Sequence, residues 1–260
     1  MTDSIRTVSM VPSWTETLIA AGIPVIGRTR FCIEPSTQVK DIPIVGGTKD
    51  WDWSRIESLK PDLLVLDKDE NPHFMGENHS VPWVATHVHD IHSCYQGLSQ
   101  IYQTLKPRLT PNASTHLQNL IQRWQKVHQT PKASPNWTKI PGLITWVQQP
   151  KETIKNTFYI IWKNPWMIAT RPTFIGDVAD RLGFQLSSPP SEKKYPELDL
   201  TTLDPATTLL LFSSEPYPFH KKIDDIKQLG FPSAVVDGQA FSWFGVRSLV
   251  FLEKHLSLER

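Results

Sequence analysis

Two cysteines in 260 residues, Cys32 and Cys94, are too few for a disulfide framework, and spacing alone does not pair them. No apolar run approaches the length of about 18 residues that a membrane span needs. The opening MTDSIRTVSM lacks the basic stretch followed by an apolar one that marks an export signal. With Met1 as the native start a cytoplasmic protein is expected; with a leader removed, a periplasmic one. Neither charge sign dominates: 27 basic residues stand against 26 acidic ones without a block of either, so no nucleic-acid or lipid-surface partner is favoured. The G-x-S-x-G, P-loop, GxGxxG and HExxH patterns are missing too, which removes the commonest signatures of hydrolases, nucleotide binders and zinc proteases.

What is present is an ordinary globular composition, 39% hydrophobic and 20% charged, long enough for one large or two small cores. Ten tryptophans and 22 prolines exceed average usage. Tryptophan-rich concave surfaces commonly take planar or apolar ligands.

The chain is organised around RTVSMVPSWTETLIAAG (residues 6–22). Thr7 to Val11 reads as a strand stopped by Pro12, and Ser13 or Thr15 can cap a helix running from Glu16 to Gly22. A strand, a tight loop and a helix start form the edge where open α/β sheets hold ligands. Strands follow at Pro24 to Gly27, Ile42 to Val45, Leu63 to Asp67 and Val81 to Thr86. Helices are expected around Ser54 to Leu59 and from Ile91 to Leu105. Such alternation with short connections predicts a parallel sheet flanked by helices.

Residues 111–130 keep Leu117, Leu120, Ile121, Trp124 and Val127 on one stripe without a glycine, which predicts a helix of about 18 residues, roughly 27 Å long. The Pro-rich TPKASPNWTKIP after it marks a lobe boundary. The second half repeats the pattern, with strands at Leu143 to Val147, Phe158 to Trp162, Thr208 to Phe212 and Ala234 to Val236. Its helices are expected at Thr173 to Leu182 and Ser242 to Leu256.

Several ordered stretches carry a resemblance: RTVSMVPSWTETLIAAG, VIGRTRFCIEP, IVGGTKDWDWSRIESLKPDLLVLDKDEN, IWKNPWM and FSWFGVRSL. Together they resemble the helical-backbone (class III) periplasmic binding proteins, the BtuF-like cobalamin-binding and iron–siderophore-binding components of ABC importers. Within that class FCIEP, IWKNPWM and FSWFGVR resemble the subgroup of helical backbone metal receptors, or cobalamin-binding proteins. The resemblance implies an α/β fold of two Rossmann-like lobes, residues 1–108 and 132–260, bridged by one long helix at 109–131, with a ligand cleft between them. It implies a non-catalytic protein without a resident cofactor, which holds cobalamin, haem or a ferric chelate, and an ABC permease as partner.

The residues it implies at the cleft are Ser13, Trp14, Thr15, Phe31, Cys32, Glu34, Thr48, Lys49, Glu70 and Asn71 from the first lobe. From the second come Trp162, Trp166, Phe174, Glu215, Trp243, Phe244 and Arg247. Arg30, Lys49, Arg171 and Arg247 can meet ligand carboxylates or phosphates. Glu16 and Glu215, or surface acids such as Glu57 and Asp224, can dock on permease arginines. Three alternatives stay open. Cys32 with Glu34 can ligate a soft metal. His87, His89 and His92 form an HxHxxH set that can converge on zinc or iron. Cys32, Glu34, Thr48 to Asp50 and Glu70 can be read as a nucleophile with acid–base partners in a metal- or tetrapyrrole-handling enzyme.

Overall fold

In the computed structural model, which describes residues 5–72, 80–136, 139–191 and 193–258, β1 (Thr7–Ser9) is fully buried and runs into α1 (Pro12–Ala20). This helix starts a turn earlier than the cap-type residues suggest. Val11 sits at its N-cap in extended conformation without a side-chain cap, and Pro12 occupies the first turn, where a missing N–H goes unnoticed. The helix closes through Gly22 (φ 74°): Ile23 N–H bonds the Leu18 carbonyl and Gly22 N–H that of Ile19.

β2 (Val25–Arg28), the single turn α2 (Ser36–Val39) and α3 (Trp53–Ser58) follow, α3 capped by Asp52, whose carboxylate accepts the Arg55 N–H. Ile42 to Val45, expected as a strand, makes only a bridge from Ile44 to Arg28, because Pro43 supplies no N–H for a longer ladder. β3 (Leu63–Asp67) is buried throughout; β4 (Trp83–Thr86) leads to α4 (Ile91–Leu105), which opens with a capping box between Asp90 and Ser93. α5 (Pro111–Gln129) packs on α4 through its predicted stripe, with Leu117, Leu120, Trp124 and Val127 buried.

The four strands form one parallel sheet in the order β2-β1-β3-β4, with Val8 opposite Leu64 and Val65 opposite Val84. Because the chain winds outward in both directions from β1 and β3, the switch point of the sheet lies between their carboxyl ends.

The later strands are β5 (Leu143–Gln148), β6 (Asn156–Trp162), β7 (Met167–Ala169), then α6 (Phe174–Arg181), β8 (Thr208–Ser213), α7 (Ile223–Lys227), β9 (Ser233–Val236), α8 (Gly238–Ser242) and α9 (Val246–His255). They form a second sheet, β5-β9-β8-β6-β7. Its three inner strands are parallel, as expected; β5 and β7 lie antiparallel at the edges. β7 follows β6 after four residues, and so short a link permits only a hairpin. Phe158, Ile160, Leu210, Phe212 and Val235 build the core beneath.

Instead of one terminal helix there are two, broken at Gly245 (φ 91°). The break matters for the division of the chain into two units, Met1–Gln129 with Trp243–Leu249, and Thr130–Ser242 with Val250–Arg260. α5 is thus the last long element of the first unit, and a seven-residue piece of the C-terminal region belongs with it.

Candidate functional site

At the carboxyl edge of the first sheet, hydrogen bonds convert most of the expected ligand loop into scaffold. Trp14 is fully buried, packs edge-on against Phe244 with ring centroids 5.0 Å apart, and donates its indole N–H to Thr86 Oγ1 at 2.8 Å. Thr86 in turn donates to Asp67 Oδ2 at 2.6 Å; the Val88 and Asp69 N–H groups complete that carboxylate. Burial pushes the Asp67 carboxyl up, and these hydrogen bonds oppose the rise. The exits of β3 and β4 are therefore tied to α1 by one buried chain of donors and acceptors.

Asn71 fills the switch point. Its Oδ1 accepts the Asp67 N–H at 3.0 Å, while Nδ2 donates to the Thr48 carbonyl at 3.0 Å and the Met10 carbonyl at 3.4 Å. The amide stitches the β1 exit, the glycine loop at residues 46–49 and the β3 exit together. Beside it Glu70 is half-buried; burial first, and the Asp67 charge second, push its carboxyl up, with Lys49 opposing.

Cys32 is equally internal. Its sulfur lies 3.0 Å from the Thr15 hydroxyl and 3.1 Å from the Thr29 hydroxyl, and burial pushes the thiol up. A nucleophile or metal ligand needs a thiolate, which this environment disfavours. Among the described residues no three His, Cys, Asp or Glu side chains group into a metal site. The HxHxxH set does not converge as a triad: His87 and His89 face each other, beside Asp69 and Asp90, while His92 stands opposite His128.

The segment Trp243–Leu249, expected with the second lobe, packs on α1 of the first unit. Arg247 makes a two-pronged ion pair with Glu16, Nε to Oε2 at 2.8 Å and Nη2 to Oε1 at 2.7 Å, and its guanidinium lies 5.3 Å from the Trp243 ring centroid. Glu34, whose Oε2 also accepts the Ser36 N–H, approaches the same guanidinium at 3.8 Å. The Val246 N–H donates to Thr17 Oγ1 at 3.0 Å, and Thr17 donates to the Ser13 carbonyl. Arg247 and Glu16, expected to face a ligand or a permease, thus meet each other. Arg30 is likewise paired with Asp50.

Exposed on these loops of the first unit are Phe31, 49% accessible under the Arg30 guanidinium, Ile33, 50% accessible, and Lys49. Ser13, Trp14, Thr15, Cys32, Asn71 and Phe244 are buried.

In the second unit the expected residues divide in the same way, some open and some packed inward. Trp162, at the end of β6, is 41% exposed and is held edge-on by Tyr217 from the β8 exit, with centroids 5.6 Å apart. Trp166 instead stacks on Phe219 and meets Phe212, so it is half-buried against the core; Phe174 is buried behind the Thr173 cap of α6. Glu215 is half-buried beside Ser242, whose hydroxyl lies 3.5 Å from Oε1. Arg171 lies elsewhere: with Lys132 and Lys155 it lines a polar groove of about 590 Å³ near the amino end of β6, and its Nε donates to the Leu186 carbonyl.

Sequence reasoning missed Asp67 and Thr86, although a strand that ends in Asp after four apolar residues is a readable sign of a buried carboxylate. It also missed Gly245, whose role shows only in three dimensions: a Cβ there would lie 2.1 Å from Thr17 Oγ1.

No family model matches the sequence, and no curated protein matches it significantly. Solved structures do. The periplasmic vitamin B12 binding protein BtuF of Vibrio cholerae superposes with a TM-score of 0.67 at 15% identity, over 97% of this chain and 96% of its own. The periplasmic heme-binding protein RhuT of Roseiflexus sp. RS-1 gives 0.69 at 15%, over 98% and 97%. S. aureus IsdE complexed with heme gives 0.67 at 16%, over 98% of each. At these identities the likeness is one of fold: the chain shares the α/β fold of these binding proteins over nearly its whole length.

Proposed function

We propose that this protein binds a metal chelate of the corrinoid, haem or ferric-siderophore kind without transforming it, as the substrate-binding component of an ABC importer. The observation that carries the reading is whole-length likeness to binding proteins for vitamin B12 and heme. Local chemistry supports it. The indole of Trp162, braced by Tyr217 at the carboxyl edge of the second sheet, is a stacking surface for a planar or apolar ligand. On the first unit the corresponding surface is Phe31 with Lys49 beside the glycine loop. The chelate is cargo rather than cofactor, and the proposed partner is a permease reached through surface acids such as Glu57 and Asp224. The enzyme reading is weaker, since Cys32 is buried with its sulfur among hydroxyls, where burial disfavours the thiolate.

Tryptophan-fluorescence titration with cyanocobalamin, haemin and a ferric siderophore tests the proposal. Saturable binding of one of them, weakened roughly tenfold by Trp162→Ala through lost stacking and burial, is expected. Failure of all three to bind would overturn it.

A further inference from the structure

The histidines after β4 sort by space rather than by spacing. His87 and His89 face each other, each beside its own carboxylate. His92, in the first turn of α4, instead stands opposite His128 near the end of α5, with ring centroids 5.1 Å apart and planes inclined by 52°. Tyr95, one turn further along α4, closes the third side at 4.9 Å from His92 and 5.8 Å from His128. Both imidazoles are half-buried, and His128 Nδ1 is fully enclosed without a hydrogen-bond partner among the described residues. A ring nitrogen in that state wants a donor, an acceptor or an ion.

The separation itself is informative. Two imidazoles bound to one tetrahedral ion, with metal–nitrogen bonds of about 2.0–2.1 Å, have ring centroids about 5.2 Å apart. The His92–His128 separation is compatible with such an ion, as is the equal 5.1 Å between His87 and His89; what singles out the first pair is the enclosed, unpartnered His128 Nδ1 and its place between two helices. Asp90, the nearest carboxylate in sequence, is committed to Ser93 and His89, so it adds no third ligand.

We propose that His92 and His128 form an open, two-histidine site for a borderline divalent cation, Zn²⁺ or Cu²⁺, that clips α4 to α5, with water in the remaining positions. Imidazole nitrogens select such ions over Mg²⁺ and Ca²⁺, which prefer oxygen, and Cu²⁺ should bind more tightly than Zn²⁺. The site is independent of the chelate-binding reading.

The test uses the full chain, stripped with a chelator. Calorimetric titration with Zn²⁺, with Cu²⁺ and with Mg²⁺ as control, is run on the wild type and on His92→Gln, His128→Gln and the double variant His87→Gln/His89→Gln. One saturable Zn²⁺ site is expected, weakened at least about tenfold by either of the first two variants and unchanged in the third, since even outer partners of a metal ligand are worth that much. Should His128→Gln not fold, His92→Gln and the histidine ring signals of the wild type decide: Zn²⁺ must move those of His92 and His128 first. No saturable binding, binding retained in His92→Gln, or signals moving first at His87 and His89 would each overturn the proposal.

Discussion

The Arg247–Glu16 pair sets a measurable coupling between the two ends of the chain. The carboxylate is only 13% exposed and the guanidinium 26%, so the pair lies between the surface and the interior. A fully exposed pair is worth about 0–1 kcal/mol, whereas breaking a buried one costs about 3–5 kcal/mol. Two charge-assisted hydrogen bonds at this burial put Arg247→Met at about 2–3 kcal/mol, most of it from leaving Glu16 without a partner. At roughly 2–4 °C per kcal/mol for a chain of this size, the melting temperature should fall by about 5–10 °C. Glu16→Gln should cost less, about 1 kcal/mol, because the arginine still has Glu34 near it. In the double variant the stranded carboxylate is gone, so the losses should not add, and the cycle should return a coupling of about 1.5–2 kcal/mol. Differential scanning calorimetry of the four proteins measures this, since it also reveals whether the units melt together. A coupling below about 0.5 kcal/mol would refute the reasoning and make the pair a surface ornament.

Gly245→Ala should destabilise by at least about 2 kcal/mol, because φ is 91° and the new methyl meets Thr17 Oγ1; an unchanged urea midpoint would contradict this. Burial pushes both thiols up, so neither Cys32 nor Cys94 should react with Ellman's reagent in the folded protein, and both should in denaturant; rapid native labelling would sink the buried-sulfur picture. For Glu70, burial raises the folded pKa above the unfolded one, so the stability present while it is protonated is lost as pH rises through the folded pKa. Glu70→Gln should therefore be the more stable protein at neutral pH, the difference vanishing below the ordinary glutamate pKa of about 4.3, and pH-dependent urea unfolding checks it.

Local signals made the scaffold legible. LLVLD reads as a strand, the apolar spacing from Ile91 to Leu105 marked α4, and the stripe from Leu117 to Val127 marked α5. Where reading failed, a longer-range fact decided. Ser13 and Thr15 have the right chemistry for capping, yet Pro12 takes the first turn, and Thr15 turns inward to Cys32. The terminal helix looks continuous until Thr17, 228 positions earlier, requires a glycine at 245. For the candidate site, strand ends located the loops but could not sort their side chains. Nothing local distinguishes the sealed Trp14 from the open Trp162, because the difference lies in Thr86 and Phe244 for one and Tyr217 for the other.

The return of Trp243–Leu249 to the first unit gives the protein an unusual birth order. When a ribosome has released residues 1–129, every strand of the first sheet has been made, but Trp14 has no Phe244 and Glu16 has no Arg247. Roughly a hundred more residues must follow, about 5–20 s of synthesis at 5–20 residues per second, before the N-terminal unit receives its last piece. The half made first is finished last, so a nascent chain stalled in between would present an incomplete α1 face to the chaperones waiting at the exit tunnel.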